Sequence, residues 1–242
     1  MKRKNKIQLL ISPTTLKDAG IIASSGIDIL DIKNVKEGSL GANFPWVIDD
    51  IVKKFKSRRI KISVALGDLP YKPGTSALAA YAAASLKADY IKAGLYGVKN
   101  RAEATILMKA IVKAIRTVNK NINIVAAGYA DWRAFKGLNP WDLIKSAKAS
   151  GSDIVMLDTA LKNGKTLFDV MSITEIKKFI KLASKQKLKT ALAGSLKKQQ
   201  IDLLKTLSPD IIGIRGAVCT SGNRQKGISK KLVKEFSTHL NS

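Results

Sequence analysis

Charged side chains stand where several short apolar runs of this chain end. Asp31 and Lys33 close one run, Lys92 lies in another, and Asp158 ends a third, with Lys162 four residues later. Side chains alternate in a strand, so Asp31 and Lys33 share a face. A deprotonated lysine forms a Schiff base with an aldehyde or ketone, and neighbouring cations favour that deprotonation. The set predicts imine chemistry, although ion pairs that tie the strand ends together would use the same residue types.

A second group of residues is suited to holding a phosphate. One run ends in Gly194 and Ser195, and another ends in Arg215 and Gly216. Glycines let backbone N–H groups approach an anion, and a helix that follows the last run adds its dipole. A glycine at a strand end can equally serve only the turn. With Arg215 beside them, the two glycine-containing ends predict a phosphate site.

Two segments between apolar runs contain several glycine and proline residues. They are NVKEGSLGANFPW (34–46) and GDLPYKPGTS (67–76). Their length favours loops that cover a substrate over ordinary turns. Lys72, in the second segment, is therefore added to the predicted phosphate ligands. Tyr129, at the end of a further run, is a candidate for contact with substrate.

The composition excludes several kinds of site. The chain has one cysteine and one histidine. A disulfide within the chain is impossible, and a thiolate-rich zinc or iron–sulfur site or a Ser–His–Asp triad is nearly excluded. General acid–base catalysis must therefore use Lys, Asp, Glu or Tyr side chains. We predict no metal site and no cofactor.

Apolar runs alternate with amphipathic segments along the whole chain, and this alternation predicts the elements that position the charged residues. Continuous apolar strands that alternate with helices indicate a parallel sheet buried on both faces. Eight such units in this length predict a single (β/α)8 TIM barrel, with the doubly wound sheet as the alternative. The predicted strands are 7–12, 27–33, 61–68, 89–95, 122–130, 153–158, 190–195 and 210–216, and the helical patterns are 77–86, 102–118, 173–182, 201–207 and 228–240.

The length of 242 residues limits the number of domains, and the net charge of +25 limits the kinds of partner. We predict one catalytic domain, residues 7–242, after a basic and flexible tail, residues 1–6. No apolar run is long enough for a secretory signal or a membrane helix, so a cytoplasmic protein is expected. Lysines are spread along the chain, which favours an ordinary basic, solvated surface over one that binds nucleic acid. A small phosphorylated substrate would be steered by the same positive field.

Several long motifs resemble one enzyme family. They are DIKNVKEGSLGANFPW, GDLPYKPGT, YIKAGLYGVKN, AAGYAD, MLDTALKNGKTLFD, ALAGSLKK and GIRGAVC, in order from about Leu9 to about Glu235. The family is that of the (5-formylfuran-3-yl)methyl phosphate synthases, also called 4-(hydroxymethyl)-2-furancarboxaldehyde-phosphate synthases. The resemblance implies a (β/α)8 barrel that joins two molecules of glyceraldehyde 3-phosphate into the furan of methanofuran, with no metal or redox cofactor.

The resemblance also implies roles for individual residues. The family's Schiff-base lysine falls on Lys33, and its acid–base lysine falls on Lys92. Asp31, Asp158 and Lys162 match further active-site positions of the family. These are the same residues that the strand ends single out.

Other functions stay open from the sequence. Another lysine-dependent barrel, such as a class I aldolase or a sugar-phosphate lyase, would share the residue types and the phosphate site. A basic barrel that binds nucleic acid is the rival from a different class, and the lack of an aromatic stacking surface weighs against it. The chain has Val35 where the family commonly has proline. A homo-oligomer is possible, but no interface can be identified from the sequence.

Overall fold

Eight parallel strands close into a barrel in chain order, because the last strand returns to pair with the first. The closure confirms the predicted (β/α)8 barrel and excludes the doubly wound sheet, which would leave two open edges. The strands are β1 (Gln8–Ile11), β2 (Ile29–Ile32), β3 (Lys61–Pro70), β4 (Tyr90–Gly97), β5 (Asn123–Tyr129), β6 (Ile154–Asp158), β7 (Lys189–Leu192) and β8 (Ile211–Ile214).

The computed structural model describes residues 6–56 and 60–242. The basic tail predicted over residues 1–6 lies, apart from Lys6, outside the described residues. Among the described residues, none of the helices combines the length and the apolar character needed to cross a bilayer.

Helices follow the strands and surround the barrel. All five predicted helical patterns are confirmed, and the described residues contain four further helices with clear start signals. The side chains of Thr15 and Asn139 cap two of them, Pro45 occupies the first position of another, and Thr166 forms a capping box at the fourth. The helices are α1 (Leu16–Ala23), α2 (Pro45–Phe55), α3 (Pro73–Ser85), α4 (Arg101–Val118), α5 (Pro140–Ser150), α6 (Leu167–Val170), α7 (Ile173–Lys185), α8 (Ile201–Leu207) and α9 (Lys230–Asn241).

Two apolar layers bury both faces of the strands. Outward residues such as Ile11, Ile32 and Ile91 pack against the helices. Inward residues fill the barrel below its mouth and include Leu10, Ile29, Tyr90, Val125, Ile154 and Ile211. Burial on both sides explains why the strands are apolar without alternation.

Charged residues occupy the inward positions above this apolar layer. Asp31 lies two residues beyond Ile29, and Lys92 lies two residues beyond Tyr90, so each shares the inward face of its strand. The barrel therefore has an apolar interior at one end and a charged mouth at the carboxyl ends of its strands, where sites form in this fold.

Candidate active site

A cavity of about 600 Å³ opens at the carboxyl ends of the strands. Every residue predicted to be catalytic or to bind phosphate, except Lys72, lines it: Asp31, Lys33, Lys92, Asp158, Lys162, Gly194, Ser195, Arg215 and Gly216. The structure therefore brings the two groups of residues singled out from the sequence into one site.

Lys72 lies outside the cavity lining, and the covering loop predicted over residues 67–76 is not a loop. Strand β3 continues to Pro70, and helix α3 begins at Pro73. Lys72 is exposed and occupies the N-cap position of this helix without a side-chain hydrogen bond to it. The glycine and proline residues thus mark the end of a long strand and the start of a helix.

Lys92 and Asp31 form a buried ion pair. Lys92 Nζ lies 2.6 Å from Asp31 Oδ2, with the two side chains 1% and 0% exposed. Asp31 also accepts hydrogen bonds from Ser12 Oγ at 2.9 Å and from Ser63 Oγ at 2.7 Å. Burial alone would raise the pKa of Asp31, but the charges of Lys92 and Lys33 lower it below its ordinary value. Asp31 is therefore an ionised acceptor with three donors.

Lys33 is buried and donates to a backbone oxygen. Its Nζ donates to the backbone oxygen of Ser39 at 3.1 Å, and among the described residues it forms no ion pair within 4.0 Å. Burial is the main cause that lowers its pKa from 10.5 to about 7, and the nearby charge of Lys92 adds to the effect against the opposing charge of Asp158. A neutral, nucleophilic amine is thus available near neutral pH.

Lys162 and Asp158 form a second ion pair at the rim. Lys162 Nζ lies 2.9 Å from Asp158 Oδ1 and 2.6 Å from the backbone oxygen of Thr159. Burial would raise the pKa of Asp158, but the charges of Lys162 and Lys33 hold it well below its ordinary value. Asp158 Oδ2 has no hydrogen-bond partner among the described residues, so it can accept a hydrogen bond from a bound molecule.

The other side of the cavity is built from the ends of β7 and β8. Gly194 and Ser195 both have positive φ, 107° and 50°, and a Cβ on Gly194 would lie 3.0 Å from Thr159 Cγ2. Successive residues with unusual φ can turn backbone N–H groups towards an anion. The geometry fits the predicted phosphate site, and the phosphate-binding roles stay predictions.

Arg215 donates mainly to protein acceptors. Its guanidinium reaches the backbone oxygens of Ser12 at 2.5 Å and Arg224 at 2.8 Å, and Asp18 Oδ2 at 3.4 Å. Although Arg215 lines the cavity, these contacts make it a tether between β1 and the loop after β8. These contacts give Arg215 a structural role, and its role as a direct phosphate ligand stays a prediction.

Arg224 was not predicted from the sequence and lines the same side of the cavity. Its Nη2 donates to the backbone oxygen of Gly38 at 3.0 Å. Nε and Nη1 have no hydrogen-bond partner among the described residues, so this arginine is freer to bind an anion than Arg215. It lies in a loop that lacks any apolar periodicity, and only its position after the last strand could have marked it.

Sequence comparison places the chain in a family. Residues 9–237 match the family described as 4-HFC-P synthase. The chain belongs to the 4-HFC-P synthase family. It is 50% identical over 229 residues to the (5-formylfuran-3-yl)methyl phosphate synthase of Methanococcus maripaludis strain C5, covering 94% of this chain and 97% of that protein. The synthase of Archaeoglobus fulgidus is 48% identical over 227 residues, covering 94% and 96% of the two chains.

Solved structures support the fold. A KGPDC from Streptococcus mutans superposes with a TM-score of 0.65 at 15% identity, covering 98% of both chains. A 3-hexulose-6-phosphate synthase gives a TM-score of 0.66 at 15% identity, covering 97% of this chain and 100% of that one. At this identity the likeness concerns the barrel alone, whereas the family match confirms the resemblance seen in the motifs.

Proposed function

We propose that this protein condenses two molecules of glyceraldehyde 3-phosphate into (5-formylfuran-3-yl)methyl phosphate, a furan unit for methanofuran, through a Schiff base on Lys33. The observation that carries the proposal is the amine of Lys33, which is buried in the cavity, has a pKa of about 7 and forms no ion pair with a carboxylate of the described residues. The family relatives, which bear the name of this synthase, support the same reaction.

The reaction balances without an oxidant or a reductant. Two triose phosphates give one furan aldehyde phosphate, one inorganic phosphate and two waters. One carbon–carbon bond forms, one phosphate is eliminated, and the ring closes and loses water. An imine assists these steps, since it acidifies the adjacent carbon and accepts electrons when a leaving group departs.

Lys33 and the charged residues around it have different roles in the proposed reaction. The neutral amine of Lys33 attacks the aldehyde carbon, and a water leaves as the imine forms. Lys92 moves protons at the adjacent carbon, and Asp31 holds Lys92 in place through their ion pair. Asp158, anchored by Lys162, orients the hydroxyl groups that are lost as water.

The product assay tests this function directly. Purified protein is mixed with glyceraldehyde 3-phosphate, and near-ultraviolet absorbance and released phosphate are followed together. The expected result is a furan chromophore with one phosphate released per furan. Phosphate release without a furan would indicate a sugar-phosphate lyase, and an aldol product without phosphate release would indicate a class I aldolase; either result would contradict the proposal.

The pH dependence of imine formation follows from the state of Lys33. Its lowered pKa of about 7 means that the amine is protonated and unreactive below that pH and neutral above it. The initial rate of reductive trapping by cyanoborohydride should therefore rise through about pH 7 and level off above it. A rate that keeps rising towards the ordinary lysine value of 10.5 would contradict a lowered pKa.

Arg224 is expected to bind a substrate phosphate. Arg224→Met keeps the aliphatic stem and removes the charge-assisted hydrogen bonds, so KM should rise by about 10–100-fold while kcat changes little. Steady-state kinetics measure the effect. Arg101→Met is the matched control, because Arg101 is exposed and lies outside the cavity lining. An unchanged KM in the Arg224 variant would remove this residue from the site.

A further inference from the structure

Ser39 connects three elements around the amine of Lys33. Its backbone oxygen accepts the hydrogen bond from Lys33 Nζ at 3.1 Å, and its backbone N–H donates to Asp68 Oδ2 at 2.7 Å. Its hydroxyl donates to the backbone oxygen of Thr159 at 2.9 Å. The residue is buried, and it lies in the loop between β2 and α2. The position of this one residue therefore sets the acceptor that Lys33 faces.

The carboxylate of Asp68, which does not line the cavity, holds this loop in place. Besides the Ser39 N–H, it accepts the N–H of Leu40 at 3.3 Å and the hydroxyl of Tyr129. Tyr129 is 2% exposed, and its ring contacts Tyr96 and Phe135 edge-on. Neither Asp68 nor Tyr129 lines the cavity, so the expected contact of Tyr129 with substrate is replaced by a hydrogen bond to Asp68.

Tyr129 remains a hydrogen-bond donor at neutral pH. Burial raises its pKa well above the ordinary value of 10.0, and the charge of Asp68 raises it further. The phenol therefore keeps its proton and can stabilise the Asp68 carboxylate. That carboxylate then has three donors, two from the loop backbone and one from β5, which fixes its position.

The backbone provides space for this pair. A β-bulge in β3, where the register shifts between Ala65 and Asp68, turns Asp68 towards Gly94 of β4. A Cβ on Gly94 would lie 2.5 Å from Tyr129 Oη and 3.0 Å from Asp68 Oδ1. A Cβ on Gly38, which has φ +131°, would likewise clash with Asp68 Oδ2. Gly94 thus leaves room for the contact between Tyr129 and Asp68, and Gly38 leaves room for the contact between Asp68 and the loop.

We propose that Asp68 and Tyr129 are positioning residues that hold the Lys33 amine in its reactive geometry through the backbone of Ser39. The role rests on the proposed imine function of Lys33. Residues outside the cavity lining fix the nucleophile in this proposal, because within residues 6–56 and 60–242 no carboxylate pairs with Lys33 to orient it. A displacement of about 1 Å at such a group can cost about 10²-fold in rate.

Two variants test the positioning role. Tyr129→Phe keeps the ring packing and removes one donor, and we expect kcat and the rate of cyanoborohydride trapping to fall about 10-fold. Asp68→Asn, which places an amide against two backbone N–H groups, should lower both by about 10²-fold. KM should change by no more than about twofold in either variant, because no contact to substrate is lost. The double variant should be no slower than Asp68→Asn alone, since both act through one path.

The matched control is Tyr90→Phe. Tyr90 is a buried, inward-facing tyrosine at the other end of the barrel, outside the cavity lining, and its loss should leave kcat and trapping unchanged. If the Asp68 and Tyr129 substitutions only destabilised the fold, they would lower the amount of folded protein. The trapping rate per folded molecule would then stay at the wild-type value. The pH midpoint of trapping is a further measure, since a displaced Lys33 changes its burial and its distance from Lys92.

The outcomes separate the two proposals. If wild-type protein yields a trapped adduct and both variants trap at the wild-type rate and midpoint, the positioning role is overturned and the imine function stands. If wild-type protein yields no adduct, the imine function fails and the positioning role fails with it. Selective loss of kcat and trapping in the Asp68 and Tyr129 variants, with an unaffected Tyr90 variant, supports the positioning role.

Discussion

Lys33→Arg should abolish turnover, with a loss on the order of 10³-fold or more in kcat. The guanidinium keeps the positive charge and cannot be deprotonated in a protein, so it cannot form the imine. The assay is furan formation from glyceraldehyde 3-phosphate, measured on protein whose thermal unfolding is followed in parallel.

The size of the arginine side chain requires a second variant. Lys33→Met has a similar length and no polar group, and it should be equally inactive while it folds at least as well, because a buried polar amine has been replaced by an apolar side chain. Lys36→Arg serves as the matched control, since Lys36 is an exposed lysine of the same loop outside the cavity lining. Turnover close to the wild-type rate in either Lys33 variant would exclude imine catalysis at this residue.

Asp31→Asn should be the most destabilising of the conservative changes at the site. It leaves the charge of Lys92, a residue 1% exposed, without its counter-ion. Breaking one partner of a buried pair costs about 3–5 kcal/mol in the free energy of unfolding. Urea denaturation at neutral pH measures the loss. An unfolding midpoint equal to that of the wild type would show that the pair contributes little to stability.

A double variant separates stability from catalysis. Replacing both partners in Asp31→Leu/Lys92→Met removes both buried charges, so much of the lost stability should return while activity remains absent. Asp49→Asn is the surface control: Asp49 pairs with the exposed Lys53, and its loss should leave the urea midpoint unchanged. A double variant as unstable as Asp31→Asn would show that packing, not charge, is responsible.

Much of the fold and the site could be predicted from the sequence because parallel barrels repeat one pattern. Strands buried on both faces are continuous apolar runs, and the side-chain period of two identifies which residues turn inward. Asp31, Lys33 and Lys92 interrupt such runs at inward positions, where a charge is costly unless it is paired or used. Their convergence at one mouth then follows from the barrel topology.

The remaining features depend on backbone geometry that the pattern does not show. Lys72 was misplaced because β3 continues through glycine and proline, residues that normally mark a loop, and joins α3 directly. The Asp68–Tyr129 contact spans 61 residues and depends on a bulge beside Gly94. Arg224 lies in a loop held by tertiary hydrogen bonds, and its place at the cavity follows only from that fold.

Identification of the trapped lysine tests the proposed chemistry most directly. Wild-type protein is reduced with borohydride in the presence of glyceraldehyde 3-phosphate, digested, and mapped by mass spectrometry. We predict a single modified peptide carrying the reduced triose-phosphate adduct on Lys33, formed faster above about pH 7 than below it. An adduct on Lys92 or Lys162 in place of Lys33, or no adduct while a furan accumulates, would contradict the proposal.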